Sequence, residues 1–90
     1  MDTDYDEEKR RSTLLNRGLD FVRANEIFDG AEFTWEDNRY DYAEVRYNTF
    51  GMLDGRLVSL TWTIRKGKRR IISMRKANDR EQARYRRFLD

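Results

Sequence analysis

Between residues 42 and 74 the chain alternates apolar and polar side chains, with interruptions at Asp54-Gly55 and Lys66-Gly67. Asp-Gly is a strong two-residue hairpin signal, because both turn positions need a left-handed backbone that Asp and Gly tolerate. Lys66-Gly67 makes a second tight connection. Strands joined so closely must run antiparallel. Val58, Leu60, Trp62 and Ile64 alternate with Leu57, Ser59, Thr61 and Thr63 in the clearest strand of the chain. Before it, a strand over residues 42–52 sets Val45, Tyr47 and Thr49 against Arg46, Asn48 and Phe50. Phe33 and Trp35 begin an earlier strand, closed by a polar turn at Asp37-Asn38-Arg39, and residues 69–74 form a last one.

Outside this region the apolar period is helical. Residues 6–17 open with Asp6, Glu7 and Glu8, which suit a helix N-terminus, and Gly18 stands where a glycine ends a helix. Leu14 and Leu15 are its expected buried face. Asp20 is a candidate cap for a second helix carrying Phe21, Ala24, Ile27 and Phe28 on one side. Asn78 with Glu81 three places on has the form of a capping box, and Ala83, Tyr85, Phe88 and Leu89 give the helix behind it an apolar stripe. The order predicts an α+β fold: one antiparallel meander sheet, two N-terminal helices and one C-terminal helix.

Length predicts a single domain over residues 1–90. The chain has no Cys and no His. Disulfides, thiolate or imidazole catalysis and Cys- or His-based metal cages are thereby excluded. No Asp/Glu cluster has metal-ligand spacing, so neither metal nor cofactor is expected. No apolar run approaches the ~18 residues of a membrane span. With no signal-like N-terminus, the expectation is a cytoplasmic protein that does not contact membrane.

Charge separates along the chain. Residues 1–55 carry 14 acidic and 7 basic side chains, a balance of −7, and residues 56–90 carry 3 acidic and 12 basic, a balance of +9. Such a half builds a surface for a polyanion. Arg65, Lys66, Lys68, Arg69, Arg70, Arg75 and Lys76 fall within twelve residues. Arginine's planar fork matches phosphate oxygens two at a time, and nearby aromatics can stack with unpaired bases. Strict alternation puts Ser73 and Arg75 on one face and Arg70 on the other. Arg80, Arg84 and Arg87 make a basic stripe on the last helix. Glu44 and Arg46 share a face at i,i+2, as a general base beside a phosphate clamp or as a plain ion pair. For the basic residues too, the plain reading is a solvated turn and a wet helix face. Charge alone equally fits a non-catalytic nucleic-acid-binding module or a basic domain that holds an acidic protein.

Four blocks in order resemble the BrnT toxins of bacterial type II toxin–antitoxin systems. They are Arg17-Gly18-Leu19-Asp20-Phe21 with Ala24 and Ile27-Phe28-Asp29; Arg39-Tyr40-Asp41-Tyr42-Ala43-Glu44-Val45-Arg46; Gly51 with Asp54-Gly55-Arg56-Leu57-Val58; and Arg70-Ile71-Ile72-Ser73-Met74-Arg75-Lys76-Ala77, continuing to Arg80-Glu81 and Tyr85. The chain departs from the family pattern at Arg17, where a histidine is usual, at Ala43, where a glycine is, and at Met74, where an alanine is.

The resemblance implies a RelE-like fold and an endoribonuclease that stops translation until a BrnA-like antitoxin binds it. Operator DNA would be reached only through the antitoxin complex. RNA cleavage without histidine is chemically permitted, because the 2′-hydroxyl attacks the adjacent phosphorus and the nucleophile comes with the substrate. The enzyme has to align attack, neutralise the crowded phosphorane and assist two proton transfers. Expected catalytic residues are therefore Lys9, Glu44, Arg46, Arg65, Arg70, Arg75, Arg80 and Tyr85, with Lys66, Lys68, Arg69, Lys76 and Arg84 binding RNA.

Overall fold

A computed structural model describes residues 1–38 and 43–89. The chain runs β1 (Thr3–Tyr5), α1 (Glu7–Arg17), a 3₁₀ turn (Phe21–Arg23), α2 (Ala24–Asp29), β2 (Phe33–Asp37), β3 (Arg46–Leu53), β4 (Arg56–Arg65), β5 (Lys68–Lys76) and α3 (Asp79–Leu89). The expected hairpins are present. Asp54 and Gly55 have φ of 53° and 75°, and Lys66 and Gly67 have φ of 51° and 74°. Both turns hold two successive residues in the left-handed region that matches the twist of the flanking strands.

The class is α+β, and the sheet is mixed rather than purely antiparallel. Its strand order is β1-β5-β4-β3-β2. The last four strands form the expected meander, but β1 adds to β5 in parallel, with Asp4 opposite Arg70. Turn chemistry dictates direction only where strands are joined by short turns. An N-terminal strand that reaches its partner through the rest of the chain is free to run either way. The expected second helix is split into the 3₁₀ turn and the six-residue α2. The strand expected from residue 42 begins only at Arg46, after a bend at residues 43–44. Asp37, expected in the turn, ends β2 opposite Arg46, while Arg39 of that turn and the expected strand start at residue 42 lie outside the described residues.

One face of the sheet carries the main core. Val58, Leu60 and Trp62 of β4, with Ile71 and Met74 of β5, pack against Leu19, Phe21, Ala24 and Ile27. Gly51 is required here, since a Cβ at that position would run into the Ile27 side chain. A smaller core on the other face joins Phe50, Leu57, Ala77 and Tyr85, so α3 covers only the end of that face, next to Phe33 and Trp35.

Helix α1 buries no residue, contrary to expectation for Leu14 and Leu15, which are 43% and 85% exposed. It is held by polar contacts instead. Asp6 caps it by accepting from the Glu8 amide at 2.9 Å. Arg10 donates to both carboxylate oxygens of Asp20, at 2.8 and 3.1 Å. Arg17 donates to the Met74 carbonyl at 2.9 Å, on β5 beyond the residues that β1 pairs. An edge carbonyl is satisfied in this way without burying the helix.

Candidate functional site

Partners in a β-ladder direct their side chains to the same side of the sheet. The registers therefore arrange the open face in cross-strand rows. One row is Asp4, Arg70, Thr63, Arg46 and Asp37; the next is Ser73, Thr61, Asn48 and Trp35; the third is Arg75, Ser59, Phe50 and Phe33.

Arg70, Ser73 and Arg75 thus share a face, which simple alternation forbids. The reason is a bulge. Thr61 pairs with Ser73 while the adjacent Trp62 pairs with Ile71, so Ile72 is an extra residue in β5. Ile71 and Met74, three positions apart, are both buried in the main core. Only an irregular strand turns both inward, and that same irregularity turns Arg70 and Ser73 outward together. The run Ile71-Ile72-Ser73-Met74 carries a signal of this, because its apolar residues do not alternate.

Lys9 and Asp6 of the α1 end, with Arg46, Arg65 and Arg70, line a recess of about 200 Å³. Four of the residues expected to act on RNA converge there. A neighbouring recess of about 270 Å³ lies between the Lys9, Ser12, Thr13 and Asn16 side of α1 and Ile72 and Ser73 of β5. Arg17, at the position where the family resemblance places histidine, lines it as well. Ser73 leads into a third recess of about 430 Å³, bounded by Arg75, Glu81, Arg84 and Trp35.

Several arginines are gripped by carboxylates of the chain itself. Glu44 receives two hydrogen bonds from Arg65, the Nε one at 3.0 Å. Asp4 receives one from Arg70 at 2.9 Å. Glu81 receives two from Arg75, at 2.7 and 2.8 Å. The arginine in each pair holds the Glu44, Asp4 and Glu81 carboxyls below their ordinary range. They are ionised at neutral pH and accept protons poorly. Glu81 also completes the capping box: its backbone amide donates to Asn78 Oδ1 and its Oε1 accepts from the Asn78 amide, both at 2.9 Å. Among the described residues no group of three acidic side chains could hold a metal ion.

The remaining expected site residues stand elsewhere. Tyr85 is buried in the smaller core and its hydroxyl donates to the Ala31 carbonyl. Burial pushes its pKa up, with Glu32 adding to the effect. Arg69 is on the opposite face, its guanidinium 4.0 Å from the Phe28 ring centroid and 5.3 Å from that of Trp62. Lys76 pairs with Val58 and so faces the helices too. Lys66 and Lys68 are exposed at the β4–β5 turn, and Arg80 is exposed on the first turn of α3. The polar floor residues Asn48, Ser59 and Thr61 were not among the expected site residues, although each has the strand parity of Arg46 or Arg65.

The fold and this face define a small α+β protein with a row of arginines along one face of its sheet, three of them paired with the chain's own carboxylates. Residues 5–81 match the family model of the ribonuclease toxin BrnT of type II toxin–antitoxin systems, and the chain belongs to that family. The family carries with it an RNA target and an antitoxin partner. No match was found among curated proteins. Among the described residues no helix is long and apolar enough to cross a membrane.

Proposed function

We propose that the open sheet face is the catalytic surface of an endoribonuclease with a RelE-like architecture, and that it cleaves RNA by attack of the substrate's own 2′-hydroxyl, without a metal ion. The observation that carries this reading is the convergence of Lys9, Arg46, Arg65 and Arg70 on one recess. Four cations around a phosphate supply what the crowded, doubly charged phosphorane needs, and preorganised charges act without reorganisation cost at the moment of reaction. Arg75 extends the cationic surface along β5. Glu44 serves chiefly to aim Arg65, since its depressed pKa makes it a weak base. Tyr85 packs the fold, and Arg84 with the turn lysines Lys66 and Lys68 adds charge along the approach to the cleft.

A cytoplasmic toxin of this kind inhibits translation and growth by cutting RNA, and a BrnA-like antitoxin neutralises it by covering the cationic cleft. Operator DNA is bound through the antitoxin. Inducible expression followed by RNA end mapping tests the reading. The expected products end in a 2′,3′-cyclic phosphate or 3′-phosphate and begin with a 5′-hydroxyl. Products with 5′-phosphates, formed only when magnesium is supplied, would overturn the metal-independent mechanism.

The depressed carboxylates favour one second reading, a non-catalytic RNA-binding module. It predicts tight RNA binding with no new RNA ends in the same experiment.

A further inference from the structure

Beside the arginine recess lies a site of different chemistry. The third recess, about 430 Å³, is lined by the uncharged polar groups of Asn48, Ser59, Thr61 and Ser73 as well as by Arg75, Arg84 and Glu81. Asn48 and Ser59 line it although they are 6% and 5% exposed. The Asn48 Oδ1 accepts from the Thr61 hydroxyl at 2.8 Å, which fixes the amide and leaves its NH₂ to donate elsewhere. Among the described residues no hydrogen bond engages that NH₂ or the Ser59 and Ser73 hydroxyls. These groups are not sealed from solvent, and uncommitted hydrogen-bonding groups along a recess are a place for a hydrogen-bonding ligand.

The walls narrow the ligand further. Trp35 is half-buried with its ring at 65° to that of Phe50, centroids 4.8 Å apart, and the Arg84 guanidinium stands 5.0 Å from the indole centroid. Trp35 and Arg84 both line the recess, and a flat, aromatic, hydrogen-bonding guest suits a site where a planar cation already stacks on the ring. Asn48 is next to Arg46 in the rows of the open face, and Ser73 lies between Arg70 and Arg75. A guest in this recess is therefore contiguous with a backbone held by the arginines.

We infer that this recess takes one unpaired nucleobase of the RNA, stacked against Trp35 and read at its edge by Asn48 and Ser59. The inference rests on the proposed RNA-cleaving reading and deepens it, because it assigns a base-binding subsite next to the phosphate-holding arginines. Phosphate contacts position a strand, and edge contacts to a base make the choice among sequences.

The test uses the whole protein and a short RNA blocked against cleavage by 2′-O-methyl groups. Its bases are removed one position at a time, and binding is measured by fluorescence anisotropy. Loss of one particular base is expected to weaken binding at least about tenfold, with the other positions changing little. Ser59→Val fills the floor and should weaken the intact RNA by a similar factor while abolishing the penalty at that position. Ser73→Val fills the same recess from the next strand and serves if the first variant does not fold. A flat abasic profile, or a penalty unchanged in both filled variants, overturns the subsite. If the flat profile comes with strong losses in Arg65→Ala and Arg70→Ala, only the subsite falls. If the intact RNA does not bind at all, the RNA-cleaving reading falls with it.

Discussion

Arg70 and Ser73 are three positions apart on β5 and yet direct their side chains to the same face of the sheet, because Ile72 bulges between them. The bulge is what places Arg70 beside Arg46 and Arg65 in one recess with Lys9. Remove that irregularity in thought, keep strict alternation, and Arg70 points into the core. The cationic site is thus a by-product of the demand that both Ile71 and Met74 be buried.

The fork geometry of these arginines is the first thing to test. Arg65→Lys and Arg70→Lys keep the charge and lose the two-pronged contact, so RNA cleavage should fall at least about tenfold in each. Arg80→Lys should leave it unchanged, since Arg80 lines none of the recesses described. Single-turnover cleavage of a defined RNA reads both. Full activity of both Arg65→Lys and Arg70→Lys would remove the arginines from the mechanism.

Glu44→Gln separates an aiming role from a basic one. The variant keeps the charge of Arg65 but loosens its aim, so kcat should fall only a few-fold, with RNA binding little changed. If Glu44 acted as the general base, kcat would fall by about a hundredfold or more and its pH dependence would change. The expected outcome is a small loss of kcat with KM little changed, and with the acid limb of the kcat profile unmoved.

Acid should loosen the fold in a traceable way. Asp4, Glu44 and Glu81 are held below their ordinary pKa by Arg70, Arg65 and Arg75. A group whose folded-state pKa is depressed contributes stability above its unfolded pKa and loses it as pH falls through the folded value. The midpoint of thermal unfolding should therefore decline below about pH 4.5, where unfolded carboxylates begin to take up protons. A triple variant carrying Asp4→Asn, Glu44→Gln and Glu81→Gln should show a shallower decline. An equal slope in both proteins would show that these pairs do not couple to folding.

Tyr85 gives a converse test. Tyr85→Phe removes the hydrogen bond to the Ala31 carbonyl and should cost about 1 kcal/mol of stability by chemical denaturation. Cleavage by the folded variant should match that of the parent. A large loss of kcat with unchanged stability would return Tyr85 to the list of reacting groups.

Much of this was readable along the chain because it depends on neighbours in sequence. Asp54-Gly55 and Lys66-Gly67 form their turns with backbone angles that few other dipeptides accept. Asp6, Asp20 and the Asn78–Glu81 pair cap the amides two or three residues ahead of them. The basic cluster of β5 and the Glu44–Arg46 neighbourhood were visible for the same reason, as was the family whose motifs they carry.

What only the tertiary structure decided were relations between distant residues. The parallel docking of β1 brings Asp4 to Arg70, and the approach of Glu44 to Arg65 sets a carboxylate against a second arginine. Arg69, indistinguishable in sequence from Arg70, turns to the opposite face and stacks over Phe28. Leu14 and Leu15 look like a buried helix face, yet α1 is held by polar contacts and leaves them exposed. In every case the local pattern states what a side chain is able to do, while the face it occupies depends on strand register and on which partner lies across the sheet. Register is set by burying Ile71, Met74 and Leu60 together, a condition on the whole core that no stretch of the chain expresses alone.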